Sequence, residues 1–301
     1  MSDSQPSQPT VTVVVPTYRR AHLLAQTIPS YLQPEVAQLV LVDDCSPDNT
    51  PEVARQLMER YPQITYLRND VNGKQTTSKN RGKKLAQTDY VYFGDDDSIL
   101  NPGAMGILLQ TARATSSDIV GASALYLRDD KDTEAALLAR RRQTARVDDI
   151  VRLARLQFDF AAVTPQPIEV PVCHASFLIR AEAAKAIDFD TGYVGNCYRE
   201  ETDYLVRCRA RGLKISYESR AVQINLPPSQ ATGGARGRGR LSYESYALYN
   251  TARFLFRNRK ALKQADARCN AAMMLGWYVE GRVSAVLSRL GGVVARKLSP
   301  R

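Results

Sequence analysis

The sequence predicts an α/β fold: a doubly wound, mostly parallel sheet flanked by helices. Three observations lead there. Short runs at residues 11–15, 39–42, 64–67 and 90–93 read as strands, the first buried on both faces and the second and fourth also buried. Helical patterns separate these runs with short connections, and the resulting β-α-β-α-β-α-β order implies parallel, right-handed crossovers. The charged, chemistry-bearing residues fall at the carboxyl ends of the runs, where open α/β sheets bind ligands.

The first strand stops at Pro16 and runs through PTYRR into a helix with Leu23, Leu24, Thr27, Ile28, Tyr31 and Leu32 on one side. The second ends in VDDCSPDNT, where Asn49 or Thr50 caps a helix beginning at Pro51. After the third, NGKQTTSKNRGKKLA turns at Asn72 and Gly73 into another helix. The fourth, DYVYF, leads into Gly94 and three consecutive carboxylates, Asp95, Asp96 and Asp97. Such a cluster repels itself unless it is solvated or shares a cation, and a hard divalent ion with oxygen ligands relieves it best. Asn101 and Pro102 read as a helix start. Neither the GxGxxG of dinucleotide-binding domains nor the GxxxxGK[ST] of a P-loop follows the first strand.

Beyond a helix and a strand at 119–127, residues 129–157 read as a charged helical insertion whose Arg140, Arg141 and Arg142 form a solvated face. Pro165, Pro167 and Pro171 mark an irregular passage into the strand VCHASFLIR. Glu200 and Glu201 open an amphipathic helix with Tyr204, Leu205 and Cys208 inward, closed by Gly212. A last strand spans 221–225.

Of the 301 residues, 44% are hydrophobic and 24% charged, ordinary values for a globular chain. Residues 1–10 are polar and Pro-rich and read as a disordered tail rather than a signal peptide. Five cysteines without CxxC spacing suggest reduced, mostly buried thiols in a cytoplasmic protein, and two histidines make a zinc site of the usual kind improbable. The net charge of +10 is concentrated in the tail: residues 232–301 hold 14 Lys and Arg against 3 acids. Nucleic acid, an anionic membrane surface or an anionic substrate could each answer to that asymmetry.

VVVPTYRR, LVLVDDCSPDNT, NGKQTTSKNRGKKLA and YFGDDDS, in this order and spacing, resemble the nucleotide-sugar half of the family 2 glycosyltransferases of GT-A fold. The resemblance spans residues 11–225, with 11–127 as the nucleotide-sugar half and 128–225 as the acceptor half. It implies an inverting, metal-dependent enzyme that moves a sugar from a nucleoside diphosphate sugar, first of all a UDP-sugar, to a hydroxyl. By the same resemblance Pro16, Thr17 and Tyr18 line the nucleobase, Arg19 belongs to the nucleotide-sugar site, Asp44 accepts from the base, and Lys74 or Lys79 approaches the donor. Asp96 faces the ribose, while Asp95 and Asp97 form a DxD pair for Mn²⁺ or Mg²⁺. The family's general base falls on Glu201, one methylene longer than the usual Asp, with Glu200 and Asp203 as alternatives near the acceptor. His174 either lines the acceptor site or is a satisfied buried histidine. A second departure is Asn225, where relatives often place a His.

Residues 226–240 form a Gly/Arg loop whose Arg236, Arg238 and Arg240 suit phosphate oxygens, so a lid over the donor diphosphate is expected. No aromatic residue interleaves these arginines, which argues against nucleic acid. Residues 241–301 read as a basic helical extension. Its apolar stripe packs on the core or on another subunit, or touches the inner face of the membrane. The rival readings are a sugar nucleotidyltransferase, against which PTYRR stands in place of a Gly-rich loop, and a non-enzymatic module using the basic tail.

Overall fold

The computed structural model describes residues 9–234 and 240–298, and their side chains except at 240, 241 and 285–298. Strands β1 (Val11–Thr17), β2 (Val36–Asp43), β3 (Ile64–Arg68) and β4 (Tyr90–Phe93) alternate with helices α1 (Ala21–Thr27), α2 (Thr50–Arg60) and α3 (Lys74–Gly82). After them come β5 (Ser98–Leu100), α4 (Ala104–Thr115), β6 (Ile119–Tyr126), α5 (Glu134–Ala139), α6 (Val147–Ile150), β7 (Val151–Arg152), β8 (Gln157–Phe158) and β9 (Ile168–Glu169). The chain continues through β10 (Phe177–Arg180), α7 (Ala181–Ala186), α8 (Glu200–Ala210), β11 (Ile215–Asn225), α9 (Arg240–Arg257), α10 (Arg259–Ala265) and α11 (Ala271–Leu298).

The main sheet runs β3-β2-β1-β4-β10-β6-β11-β5, with β9 pairing to β11. The first four strands are parallel, as the short crossovers require. β10 then inserts antiparallel between β4 and β6, which makes the sheet mixed. Side chains alternate across it: Val14, Val40, Val42, Val91 and Phe93 meet Tyr204, Leu205 and Cys208 on one face. Val13, Val15, Leu39, Leu41 and Tyr92 meet Leu24, Ile28, Leu57 and Leu108 on the other. Burial on both faces is why these strands read as unbroken apolar runs.

The structure corrects several expectations. Residues 129–157 hold two short helices and the first part of a β7–β8 hairpin rather than one helical insertion. Arg141 is no solvated residue, since its guanidinium donates to the carbonyls of Ala161 and Ser219. Only residues 177–180 of VCHASFLIR form a strand. β11 is eleven residues long, with a register shift between Glu218 and Val222, so it begins well before residue 221. Helix α4 starts after Gly103, and the Asn101 side chain reaches Glu134 instead of capping it. Four of the five cysteines are buried and all are free. Among the described residues, no helix is long and apolar enough to cross a membrane.

Helix α3 approaches the sheet at Gly82, where an added Cβ would stand 2.5 Å from Val14 Cγ1 and 2.9 Å from Val42 Cγ2. Gly82→Ala is therefore expected to destabilise the protein by about 1–3 kcal/mol, through overpacking. Urea unfolding would measure it, and an unchanged midpoint would show that the contact is slack.

Candidate active site

The loops after β1 and β4 meet at the carboxyl edge of the sheet. Arg20, the last residue of PTYRR, is 9% exposed, and its Nη1 lies 2.5 Å from Asp96 Oδ1 and 3.0 Å from Asp97 Oδ2. Burial works against its charge, but Asp96 and Asp97 outweigh burial and raise the guanidinium above its usual range. Asp95 turns the other way. Its Oδ2 accepts from Ser176 Oγ at 3.0 Å, and its carbonyl accepts from Tyr31 Oη at 2.9 Å. Burial lifts the Asp95 carboxyl above the ordinary range against the pull of Lys79.

Lys79, on α3, is fully buried, and its ammonium donates to Glu200 Oε1 at 3.0 Å and Glu201 Oε1 at 2.8 Å on α8. It also sits 5.2 Å from the centroid of the Phe189 ring. The two glutamates part company. For Glu201 burial pushes upward, but Lys79 and hydrogen bonding from Glu200 prevail and hold the carboxyl below its usual range. For Glu200 burial, then repulsion from Glu201, holds the carboxyl well above it. Glu200 Oε2 is sealed from solvent without a hydrogen-bond partner. The two carboxyls are thus pushed in opposite directions, Glu201 toward the anion and Glu200 toward the protonated acid, the divergence that marks acid and base roles.

His174 is 8% exposed; its Nδ1 accepts from the Ser176 N–H at 3.3 Å and its Nε2 lies 2.7 Å from Tyr126 Oη. Burial holds its pKa down to about 4, so the ring is neutral and Nε2 carries the proton. Ser176 bonds both His174 and Asp95, and the charges of Lys79 and Glu201 act on both, so the four lie together in one candidate cleft.

The remaining predicted residues have varied engagements. Pro16 and Thr17 end β1, Tyr18 is half-buried, and Arg19 is exposed with its N–H donating to Ser46 Oγ at 3.0 Å. Asp44 caps the start of α3: Oδ1 accepts from Asn69 Nδ2 and Gly73 N, and Oδ2 from Lys74 N. Lys74 is half-exposed with φ of 65°. Asn225 Nδ2 donates to the Leu125 carbonyl, while the next N–H, of Leu226, donates to the carbonyl of Asp97. Asp203 is not brought to the cleft, because its carboxylate pairs with Arg207 at 2.7 Å and accepts from Asn258 at 2.6 Å. Gly233, with φ of 80°, packs so closely that a Cβ would stand 2.2 Å from the Arg19 carbonyl oxygen, so the start of the Gly/Arg loop lies on the β1–α1 turn. Arg236 and Arg238 lie outside the described residues.

Sequence reasoning missed Arg20, Ser176 and the pairing of Lys79. Arg20 had a signal in the second arginine of PTYRR; Ser176 had none. Among the described residues no group of three or more His, Cys, Asp or Glu is set to hold a metal. Ions of the Mg²⁺ type are, however, held by one or two protein carboxylates and completed by water and substrate phosphates, so the hard oxygens of Asp95 and Asp97 fit such an ion.

Two solved structures share this architecture. A mannosyltransferase from Pyrobaculum calidifontis in complex with GDP-Man and Mn²⁺ superposes with a TM-score of 0.58 at 15% identity, over 97% of this chain and 81% of that one. Staphylococcus aureus TarS 1-349 in complex with UDP-GlcNAc gives 0.58 at 17% identity, over 88% of this chain and 69% of that one. The fold is that of the GT-A glycosyltransferases. The family model described as glycosyl transferase family 2 matches residues 12–187, more than half of the chain. The chain belongs to glycosyl transferase family 2.

Among its curated relatives, the GalNAc(5)-diNAcBac-PP-undecaprenol beta-1,3-glucosyltransferase of Campylobacter jejuni is 34% identical over 117 residues, 38% of this chain and 38% of its own. The abequosyltransferase of Salmonella typhimurium is 27% identical over 226 residues, 71% of this chain and 66% of its own. The chain thus spans well under half of the Campylobacter protein.

Removing the buried cation is the sharpest test of this electrostatic arrangement. Lys79→Met is expected to cost about 3–5 kcal/mol of stability at neutral pH, because it leaves a buried carboxylate unpaired. Glu201 has a depressed folded pKa, so its contribution exists above the unfolded value and is lost as pH falls through the folded one. The cost of the substitution should therefore shrink on acidification, as denaturant unfolding at several pH values would show.

Proposed function

We propose that this chain is an inverting glycosyltransferase that moves a sugar from a nucleoside diphosphate sugar to a hydroxyl acceptor. The observation that carries the proposal is the Glu201 carboxyl, bonded to Lys79 at 2.8 Å and close enough to Asp95, after β4, for each charge to act on it. The names of two structural neighbours, with GDP-Man and Mn²⁺ and with UDP-GlcNAc, support a donor of this class.

In the proposed reaction the acceptor oxygen attacks the anomeric carbon from the face opposite the diphosphate. The new C–O bond forms as the bond to the phosphate oxygen breaks, the nucleoside diphosphate leaves with the electron pair, and the acceptor proton passes to Glu201. A single displacement inverts the anomeric centre. A carboxylate held below its usual range is a weak base for a free alcohol. It suits a proton that moves late, once the attacking oxygen has become acidic through bond formation. Neutral Glu200 and Lys79 keep Glu201 charged and fixed in position.

On the donor side, Tyr18, Arg19 and Asp44 surround the base, Lys74 faces the donor, and Asp96 is placed for the ribose, already aligned by Arg20. A divalent ion, Mn²⁺ or Mg²⁺, on Asp97 and Asp95 would neutralise charge developing on the diphosphate. Arg236 and Arg238 are assigned the outer face of that diphosphate, because the chain leading to them rests on Arg19 and Arg20.

Two substitutions separate these roles. Asp97→Ala should lower donor turnover by about 100-fold or more, with Mn²⁺ no longer strengthening nucleotide binding. Glu201→Gln should keep the nucleotide-induced rise in melting temperature while transfer falls by about 100-fold to 10,000-fold. Wild-type turnover in either variant would overturn the assignment.

A further inference from the structure

Arg199 immediately precedes α8 and holds a backbone φ of 77°, a left-handed conformation that costs a non-glycine residue energy and persists where the surroundings impose it. Its guanidinium lies between two rings, with Cζ 4.7 Å from the centroid of Tyr198 and 5.4 Å from that of Phe158. Arg282, on α11, approaches the same Tyr198 ring at 5.7 Å and the Tyr278 ring at 5.2 Å. Two like charges therefore share one aromatic ring. Burial, with Arg282 adding to it, lowers the Arg199 guanidinium from its usual value. Glu244 compensates Arg282 at 3.2 Å, but among the described residues no carboxylate pairs with Arg199. Arg199 Nε is sealed from solvent and has no acceptor.

A buried donor without an acceptor is costly, and a cation among aromatic rings recovers only part of the lost solvation. The missing partner is an anion. Its position is set by the wall that joins Arg199 to the cleft: Phe158 stacks on Phe160 at 5.6 Å, Phe160 meets His174 edge-on at 6.0 Å, and His174 is bonded to Tyr126. That wall belongs to residues 126–174, most of them in the part of the chain assigned to the acceptor. The donor diphosphate is assigned to Asp95, Asp97 and the loop beside Arg20, which the wall meets at Ser176, bonded to both His174 and Asp95.

We propose that Arg199 and Arg282 form a binding site for a phosphate or diphosphate ester carried by the acceptor, with the acceptor's reactive portion lying along Phe158, Phe160 and His174 toward Glu201. This rests on the glycosyltransferase reading and adds the chemical class of its acceptor. The planar guanidinium fork of Arg199 matches phosphate oxygens, and the strained backbone and flanking rings hold it ready before the ligand arrives.

The test uses the full chain saturated with Mg²⁺ and whichever of UDP or GDP raises its melting temperature more, so that the donor site is filled. Calorimetric titration then compares decyl diphosphate, inorganic diphosphate and neutral decyl glucoside. Decyl diphosphate should bind the wild type, and Arg199→Gln and Arg282→Gln should each weaken it by about tenfold or more. Arg199→Lys, which keeps the charge and loses the fork, should weaken it less, and decyl glucoside should be indifferent to all three. Equal binding of inorganic diphosphate would point to a soluble phosphorylated acceptor, and selective binding of the decyl ester to a lipid-linked one; both support the site. No anion binding to the wild type, or undiminished affinity in Arg199→Gln with its nucleotide-induced melting shift intact, overturns it. Absence of any nucleotide effect on melting would instead count against the glycosyltransferase reading, while the same titration without nucleotide still reports on the arginine pair.

Discussion

The contact between Lys79 and the two glutamates Glu200 and Glu201 sets the positions of the rest. It joins α3, from the first half of the chain, to the first turn of α8, across 121 and 122 residues of sequence. Lys79 has no exposed surface, so its charge is tolerable only because carboxyls meet it on α8 and the Phe189 ring lies beneath it. The approach of α3 to Val14 and Val42 at Gly82 brings the lysine to that depth. The upward push on Glu200 moves the site toward one cation and one anion, a balance that a buried site can bear.

A second balance operates at the tip of β4. Three adjacent carboxylates would repel one another, yet Arg20 engages Asp96 and Asp97 while Asp95 is held separately by Ser176. The protein therefore carries its own cation at this edge, which offsets part of the repulsion and orients these oxygens. Arg20 and Lys79 divide the work: the first organises the edge proposed for the donor, the second the carboxylate proposed as the base. Arg199 stands apart from both as a cation that no carboxylate of the described chain answers.

Much of the fold was legible because local pattern and tertiary role agree there. The runs at 11–15, 39–42 and 90–93 are strands because the sheet is covered on both faces there, 64–67 forms the half-buried edge strand, and the acids follow the carboxyl end of β4 as expected. Glu200 and Glu201 do open a helix, and Gly212 follows its end with φ of 87°. What escaped reading depends on distant partners. Residues 129–157 look helical by charge pattern, but Arg141 is drawn inward by carbonyls of Ala161 and Ser219 that no local window contains. Lys79 looks like any lysine on a polar helix until α8 is laid against it. Asp203 shares a turn with Glu201 yet faces Asn258 and Arg207, a choice made by helical phase and by the packing of the C-terminal helices.

The central claim is that one buried glutamate is ionised and its neighbour is not. Carbon-13 spectra of side-chain carboxyls in glutamate-labelled protein, assigned with Glu200→Gln and Glu201→Gln, read both groups directly. The account predicts that Glu201 titrates below the usual glutamate range and that Glu200 stays protonated well above it. Two carboxyls titrating together near the ordinary value would contradict it.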